Sequence, residues 1–259
     1  AALAYQPNER LVHYLAGAVE ALPIDLQTGV TATAETIAGQ GADHVVLATG
    51  ALRIAPEIPG STQRHVFDGD ELRGILFGDD PKAAAKLNPV YRLMLGAARL
   101  TQLLRSIRLL RFLSRIWMPI ADDVVIIGGG LVGLELAEYL VERKRKVTVL
   151  EPGPSLGPEL AIVRRARVLH TLREHDVEMV CDADIERIEA GGVVYKDQEQ
   201  SHFRPCIQVI IAIGGEADAS LEQQLAGCGA VVHKIGDCRD KSFIDGAILD
   251  ARKLVQQIG

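Results

Sequence analysis

Three glycines and one glutamate stand where this chain could hold a phosphate-bearing ligand. Gly128, Gly130 and Gly133 fall in the spacing G-x-G-x-x-G. The first suits a tight turn, the second lets phosphate approach bare backbone, and the third lets a helix pack closely on a strand. Four β-branched residues, 124–127, run into the turn as a buried parallel strand does. Beyond it Leu131, Leu134, Ala137 and Leu140 recur at threes, the mark of a helix with one apolar face. Free N–H groups at its first residues, Leu131 and Val132, together with the helix dipole, favour an anion. A second apolar strand, 147–150, ends at Glu151, 18 residues past Gly133. A carboxylate at that place can accept hydrogen bonds from a ribose. Glycines alone are weak evidence. Strand, glycines, helix, strand and terminal acid in this order point to a dinucleotide site.

Charge around Glu151 then distinguishes between dinucleotides. A 2′-phosphate needs cations and is repelled by a carboxylate. Pro152, Gly153, Pro154 and Ser155 follow Glu151 with no Arg or Lys among them, so NADH is expected over NADPH. Lys144, Arg145 and Lys146 close the preceding helix, where cations suit the dipole without any ligand.

These residues need a frame, and composition bounds it. The chain has 259 residues, 48% of them hydrophobic, with 25 glycines, which suits an α/β protein with an ample core. A net charge of −6 and only 4% aromatic residues argue against a nucleic-acid partner and base-stacking platforms. Cys181, Cys206, Cys228 and Cys238 are widely spaced without C-x-x-C, which speaks against a dithiol, a zinc knuckle or an iron–sulfur site here. Reduced thiols of a cytoplasmic protein are the simpler reading. There is no signal-peptide pattern and no uncharged apolar run of about 18 residues.

The periodicity predicts helices over 9–22, 160–174, 220–226 and 244–257. It predicts strands over 24–26, 30–36, 43–51, 177–180, 208–213 and 231–235. An antiparallel excursion, 185–188 with 193–195, turns at Gly191-Gly192. His170 and His175 lie on or just beyond a charged helix and read as surface residues.

The 43–51 strand ends in Ala48-Thr49-Gly50-Ala51, and Ile58-Pro59-Gly60 follows as a rigid turn. Near the C-terminus stands Ile235-Gly236-Asp237-Cys238. ATGA after a strand, then IPG, then GGGLVG, then IGDC resembles the two-dinucleotide-domain flavoprotein reductases. Within them the chain is most similar to the C-terminal half of the NADH:flavin oxidoreductases related to 2,4-dienoyl-CoA reductase, 2-enoate reductase and trimethylamine dehydrogenase. The resemblance covers most of the chain except about 40 residues after Gly78.

It implies an α/β architecture in which a Rossmann-type NAD(H)-binding domain, 122–215, is inserted into an incomplete FAD-type domain, 1–78 and 216–259. Thr49 and Gly50 would border the first crossing between domains, and Gly214 with Gly215 the crossing back. Gly236 and Asp237 would meet flavin ribitol or the matching part of another dinucleotide. A glutamate at the place of Glu135 lies near the nicotinamide carboxamide in related reductases. The alternative for Glu135 is a carboxylate favoured by the helix N-terminus, and for Asp237 a plain helix cap.

Departures from the family matter as well. No strand–G-x-G-x-x-G–helix precedes residue 40, and neither a flavin-bearing barrel nor a cysteine cluster is present. The expectation is a C-terminal portion of a larger enzyme, with a whole NADH site and part of an FAD site. FMN and an iron–sulfur cluster would belong to the missing half, which would be its partner and would carry an enoate or enoyl-CoA-like substrate. Hydride transfer needs two rings placed together rather than an acid–base residue, so no catalytic side chain and no metal ligand is expected. A nucleotide-binding module without turnover stays open, while a disulfide reductase is disfavoured by the missing cysteine pair.

Residues 79–121 form a basic insertion. Lys82, Lys86, Arg92, Arg99, Arg105, Arg108, Arg111 and Arg115 meet no acid between Asp80 and Asp122. Over 103–117 the arginines oppose Leu103, Ile107, Leu110, Leu113 and Trp117 at helical spacing. Such a face can pack on its own protein with Trp117 buried, lie on an anionic membrane surface, or grip a CoA-like anion.

Overall fold

The computed structural model describes residues 6–52, 56–77, 81–87, 89, 91–93, 96, 118, 120–240 and 243–258. The expectations for 97–117, including Trp117, lie outside them. The chain begins with α1 (Gln6–Glu20), α2 (Ala34–Ala38), β1 (His44–Leu47), β2 (Ala51–Leu52), β3 (Val66–Asp68), α3 (Gly69–Phe77) and α4 (Pro81–Lys86). Then come β4 (Asp123–Ile127), α5 (Leu131–Val141), β5 (Lys146–Leu150), α6 (Ile162–Glu174) and β6 (Glu178–Val180). Next are β7 (Asp184–Glu189), β8 (Gly192–Asp197), β9 (Gln200–Pro205) and β10 (Gln208–Ile211). Last are β11 (Glu216–Ala217), α7 (Ser220–Gln224), β12 (Val231–Lys234) and α8 (Phe243–Ile258). They fall into two compact units, one of Ala1–Ala21 with Ala55–Ile213, the other of Leu22–Ile54 with Gly214–Gly259.

The larger unit is built on a five-stranded sheet in the order β3-β10-β4-β5-β6, parallel throughout. Its central strands are buried on both faces, which is why they read as unbroken apolar runs. Val124 and Ile126 point to one face with Val147 and Val149, and meet Leu134, Ala137 and Leu140 of α5 and Val168 and Leu172 of α6. Val125 and Ile127 point to the other, with Leu150, Val209 and Ile211, and meet Ile188, Val193 and Tyr195. Each fully buried leucine contributes about 1.5–3 kcal/mol by leaving water.

The second face is covered by the antiparallel sheet β7-β8-β9. The sequence showed the first two of these strands, although they run longer than expected, and gave no sign of β9. QSHFRP lacks an apolar alternation, and β9 is held by its ladder to β8 and by one arginine. Arg204 reaches Thr148 Oγ1 (2.9 Å), Asp123 Oδ1 (3.2 Å) and Glu178 Oε2 (3.2 Å).

Two expectations need correction. Residues 24–26 and 30–36 are not strands: Ala34–Ala38 is a short helix and the rest is irregular. Thr33 and Thr36 look like strand residues by composition but form a capping box. Thr36 N donates to Thr33 Oγ1 (3.2 Å) and Thr33 N to Thr36 Oγ1 (2.9 Å). The boundary expected at residue 78 also moves, because 55–77 belong to the larger unit. Val66, Phe67 and Asp68 pair with Val209, Ile210 and Ile211 at the edge of the parallel sheet. The Ile58-Pro59-Gly60 turn docks on β7, where Ile188 N donates to Pro59 O (2.7 Å).

The smaller unit has a parallel pair, β1-β12, an antiparallel pair, β2-β11, a 3₁₀ turn at Gly236–Cys238, and α8. Its buried core is small, centred on Leu47, Leu225 and Cys238. Val46, Val231, Ile244, Ile248, Leu249 and Val255 of this unit are exposed. Among the described residues no helix is long and apolar enough to cross a membrane.

Candidate functional site

The glycine turn lies at the carboxyl end of β4, with β10 on one side and β5 on the other, where open α/β sheets bind their ligands. Gly128 takes φ +111°, and its N–H donates to Leu150 O (2.8 Å), carrying the β4–β5 ladder past the strand end. A side chain on Gly133 would put Cβ 1.8 Å from Gly128 O, so α5 rests directly on the turn. Gly130 is the N-cap of α5 and brings no side chain to cap its first turn. Leu131 and Val132 open that turn, Val132 exposed and Leu131 half-buried.

Glu151 closes the turn. One carboxylate oxygen accepts the Gly129 N–H and the other the Gly153 N–H (2.7 Å). Its own backbone is fixed by Glu151 N to Val180 O (2.8 Å) and Ala183 N to Glu151 O (3.0 Å). A carboxylate has about four acceptor positions, so the two bonds leave room for ribose hydroxyls. The 152–157 loop folds back over the glycines: Gly157 N donates to Gly129 O (2.7 Å) and Arg165 Nε to Leu156 O (2.6 Å).

Glu135 sits half-buried on α5, and burial pushes its carboxyl above the usual range, with Arg164 acting against that shift. Arg164 is held by Glu138 (2.7 and 3.3 Å), an ion pair that ties α6 to α5. Lys144–Lys146 do more than suit a dipole, since Arg145 pairs with Asp122 and Lys146 with Asp123 (3.6 Å) at the start of β4. His170 and His175 are exposed, as expected.

In the smaller unit the Thr49-Gly50 loop follows β1, Gly50 at φ +80° and the crossing residue Gly214 at +113°. The Cys238 thiol donates to Leu47 O (3.1 Å) and so links the Gly236-Asp237 turn to the end of β1, just before the Thr49-Gly50 loop. Asp237 Oδ1 accepts the Phe243 N–H (2.8 Å), which makes it a cap of α8. Gly236 N–H donates to Asp250 Oδ2 (3.0 Å), and Arg239 binds Asp250 Oδ1 (3.0 Å).

Asp250 was not legible in the sequence. It is 5% exposed on α8, 14 residues from the glycine it holds, and no spacing rule joins them. Asp250→Ala is expected to lower unfolding free energy by about 2 kcal/mol, because a buried N–H loses its acceptor and a guanidinium its partner. Asp250→Asn keeps an acceptor and is expected to cost less. Urea unfolding checks this; an alanine variant as stable as the parent would refute it.

All four cysteines are free. Burial pushes the Cys206 thiol up to about 11, and that of Cys181 upward as well. Among the described residues no three His, Cys, Asp or Glu side chains gather as a metal site.

Fold and site together define an α/β dinucleotide-binding protein of Rossmann type. Residues 10–232 match the family described as pyridine nucleotide-disulphide oxidoreductase, and the chain belongs to that family. A bilirubin reductase of Mediterraneibacter gnavus is 27% identical over 233 residues, 90% of this chain and 30% of that protein. An NADH oxidase of Thermoanaerobacter brockii is 27% identical over 242 residues, 91% of this chain and 31% of that one. Among solved structures, a 2-naphthoyl-CoA reductase in complex with 2-naphthoyl-CoA superposes with a TM-score of 0.71 at 22% identity, over 94% of this chain and 31% of that one. The chain thus spans about a third of the length of these relatives.

Proposed function

We propose that this chain is the electron-input portion of an NADH:flavin oxidoreductase, of the branch related to 2,4-dienoyl-CoA reductase, 2-enoate reductase and trimethylamine dehydrogenase. The observation that carries the reading is the cradle at the end of β4, a bare Gly130 at the head of α5 with Glu151 closing the turn beside it. A nicotinamide dinucleotide, when bound, supplies hydride to a flavin. The chain's own part is to hold and orient. The first turn of α5 offers Leu131 and Val132 N–H groups to a pyrophosphate, Glu151 accepts ribose hydroxyls, and Glu135 is offered to the carboxamide end.

The smaller unit, in this reading, contributes Thr49, Gly50, Gly236 and Asp237 to part of an FAD site. Its exposed apolar residues, Val46, Val231, Ile244 and Ile248 among them, fit a unit completed by another portion of a larger enzyme. The final acceptor, an enoate or enoyl-CoA-like compound, rests on the ATGA, IPG, GGGLVG and IGDC resemblance.

The test is a pair of fluorescence titrations. NADH is expected to bind at least about ten-fold more tightly than NADPH, because Glu151 repels a 2′-phosphate. Equal dissociation constants would sink the preference, and no saturable binding of either would sink the proposal.

A further inference from the structure

The space beside Gly130 is claimed by a carboxylate. Gly130 is the glycine whose bare backbone a pyrophosphate approaches. A Cβ built on it would lie 2.7 Å from Glu159 Oε1 and 3.7 Å from Oε2. The next nearest atom there is the Glu159 carboxyl carbon, at 3.6 Å. Glu159 follows the 152–157 loop, which is held to the glycine turn by the Gly157 N–H on Gly129 O and to α6 by the Arg165 guanidinium on Leu156 O. Leu160 N donates in turn to Gly157 O (3.1 Å), which ties the stretch around Glu159 into a tight turn. The backbone is therefore anchored close to the head of α5, while the side chain is exposed.

We propose that Glu159 is an internal competitor for the pyrophosphate of a bound dinucleotide, an affinity-setting residue of the site. A carboxylate beside a helix N-terminus is favoured by the same N–H groups and dipole that favour phosphate. The two anions cannot share the space next to Gly130, so the carboxylate must swing outward for the dinucleotide to enter. Affinity is lowered by what the carboxylate gives up at the helix terminus and by its repulsion of the phosphates. This inference rests on the dinucleotide site proposed above.

Glu159→Gln keeps the shape and removes the charge. In titrations of the full 259-residue chain, NADH should bind this variant about two- to five-fold more tightly than the parent, the range a helix-terminus charge commands. The gain should shrink as salt rises, since an exposed carboxylate is screened. Glu159→Ala, which clears the space as well, should gain at least as much. Unchanged affinity in both variants, with the parent binding NADH, would overturn this inference and leave the dinucleotide site standing. Weaker binding would overturn it too, by showing that the carboxylate accepts hydrogen bonds from the ligand. If neither the parent nor the variants bind NADH saturably, the site and the inference fail together.

Discussion

Gly133→Ala is expected to cost at least about 4 kcal/mol of unfolding free energy and to abolish NADH binding. The new methyl carbon would stand 1.8 Å from the Gly128 carbonyl oxygen, less than two-thirds of the closest approach that Cβ atoms tolerate. Both partners are backbone, so no flexible side chain can give way. The helix must lift off the strand, and with it the N–H groups that would face a pyrophosphate. Gly17→Ala is the matched control. Gly17 lies in α1 with nothing within 4 Å of its virtual Cβ, and alanine there should be neutral or stabilising by up to about 1 kcal/mol. Urea unfolding of both variants, followed by NADH titration, decides the matter. A folded Gly133→Ala protein with parental affinity would show that α5 is not seated as described.

Glu151→Ala should weaken NADH binding by about ten- to a hundred-fold while barely changing the affinity for NADPH. Hydrogen bonds to a charged group are worth about 1.5–3 kcal/mol each; in the proposed site this carboxylate would receive the ribose, and it clasps Gly129 and Gly153. Removing it loosens the turn for either ligand, but only NADPH is relieved of repulsion at its 2′-phosphate. The NADH preference should therefore collapse toward one, and adding Pro152→Arg should move it further toward NADPH. The ratio of the two dissociation constants is the measurement. If it stays at its parental value, Glu151 does not face the ribose.

Local patterns explain why this much of the site could be read before any coordinates. The run from β4 through α5 to β5 is contiguous, and its periods of two and 3.6, its glycines and its closing acid all act over a few residues. β3 is a different case. Three residues cannot declare themselves by period, and Val66–Asp68 is a strand because β10 offers it an edge. The same edge draws residues 55–77 into the larger unit and moves the boundary from the place their resemblance suggested. For Ala34–Ala38, β-branched threonines implied a strand, while hydroxyl bonds to the backbone made a helix.

From the residues alone came the α/β class, the glycine turn and the carboxylate at the end of β5. Each depends on neighbours in sequence, whose geometry is set by backbone sterics and short-range hydrogen bonds. Which distant groups meet within each unit was decided only in three dimensions. Arg165 reaches the Leu156 carbonyl, Glu159 comes to lie beside Gly130, and Asp250 reaches the Gly236 N–H because sheet, loop and helix pack in one arrangement. Those contacts span 9, 29 and 14 residues. No local rule links their partners, since what joins them is the burial of apolar faces elsewhere in each unit.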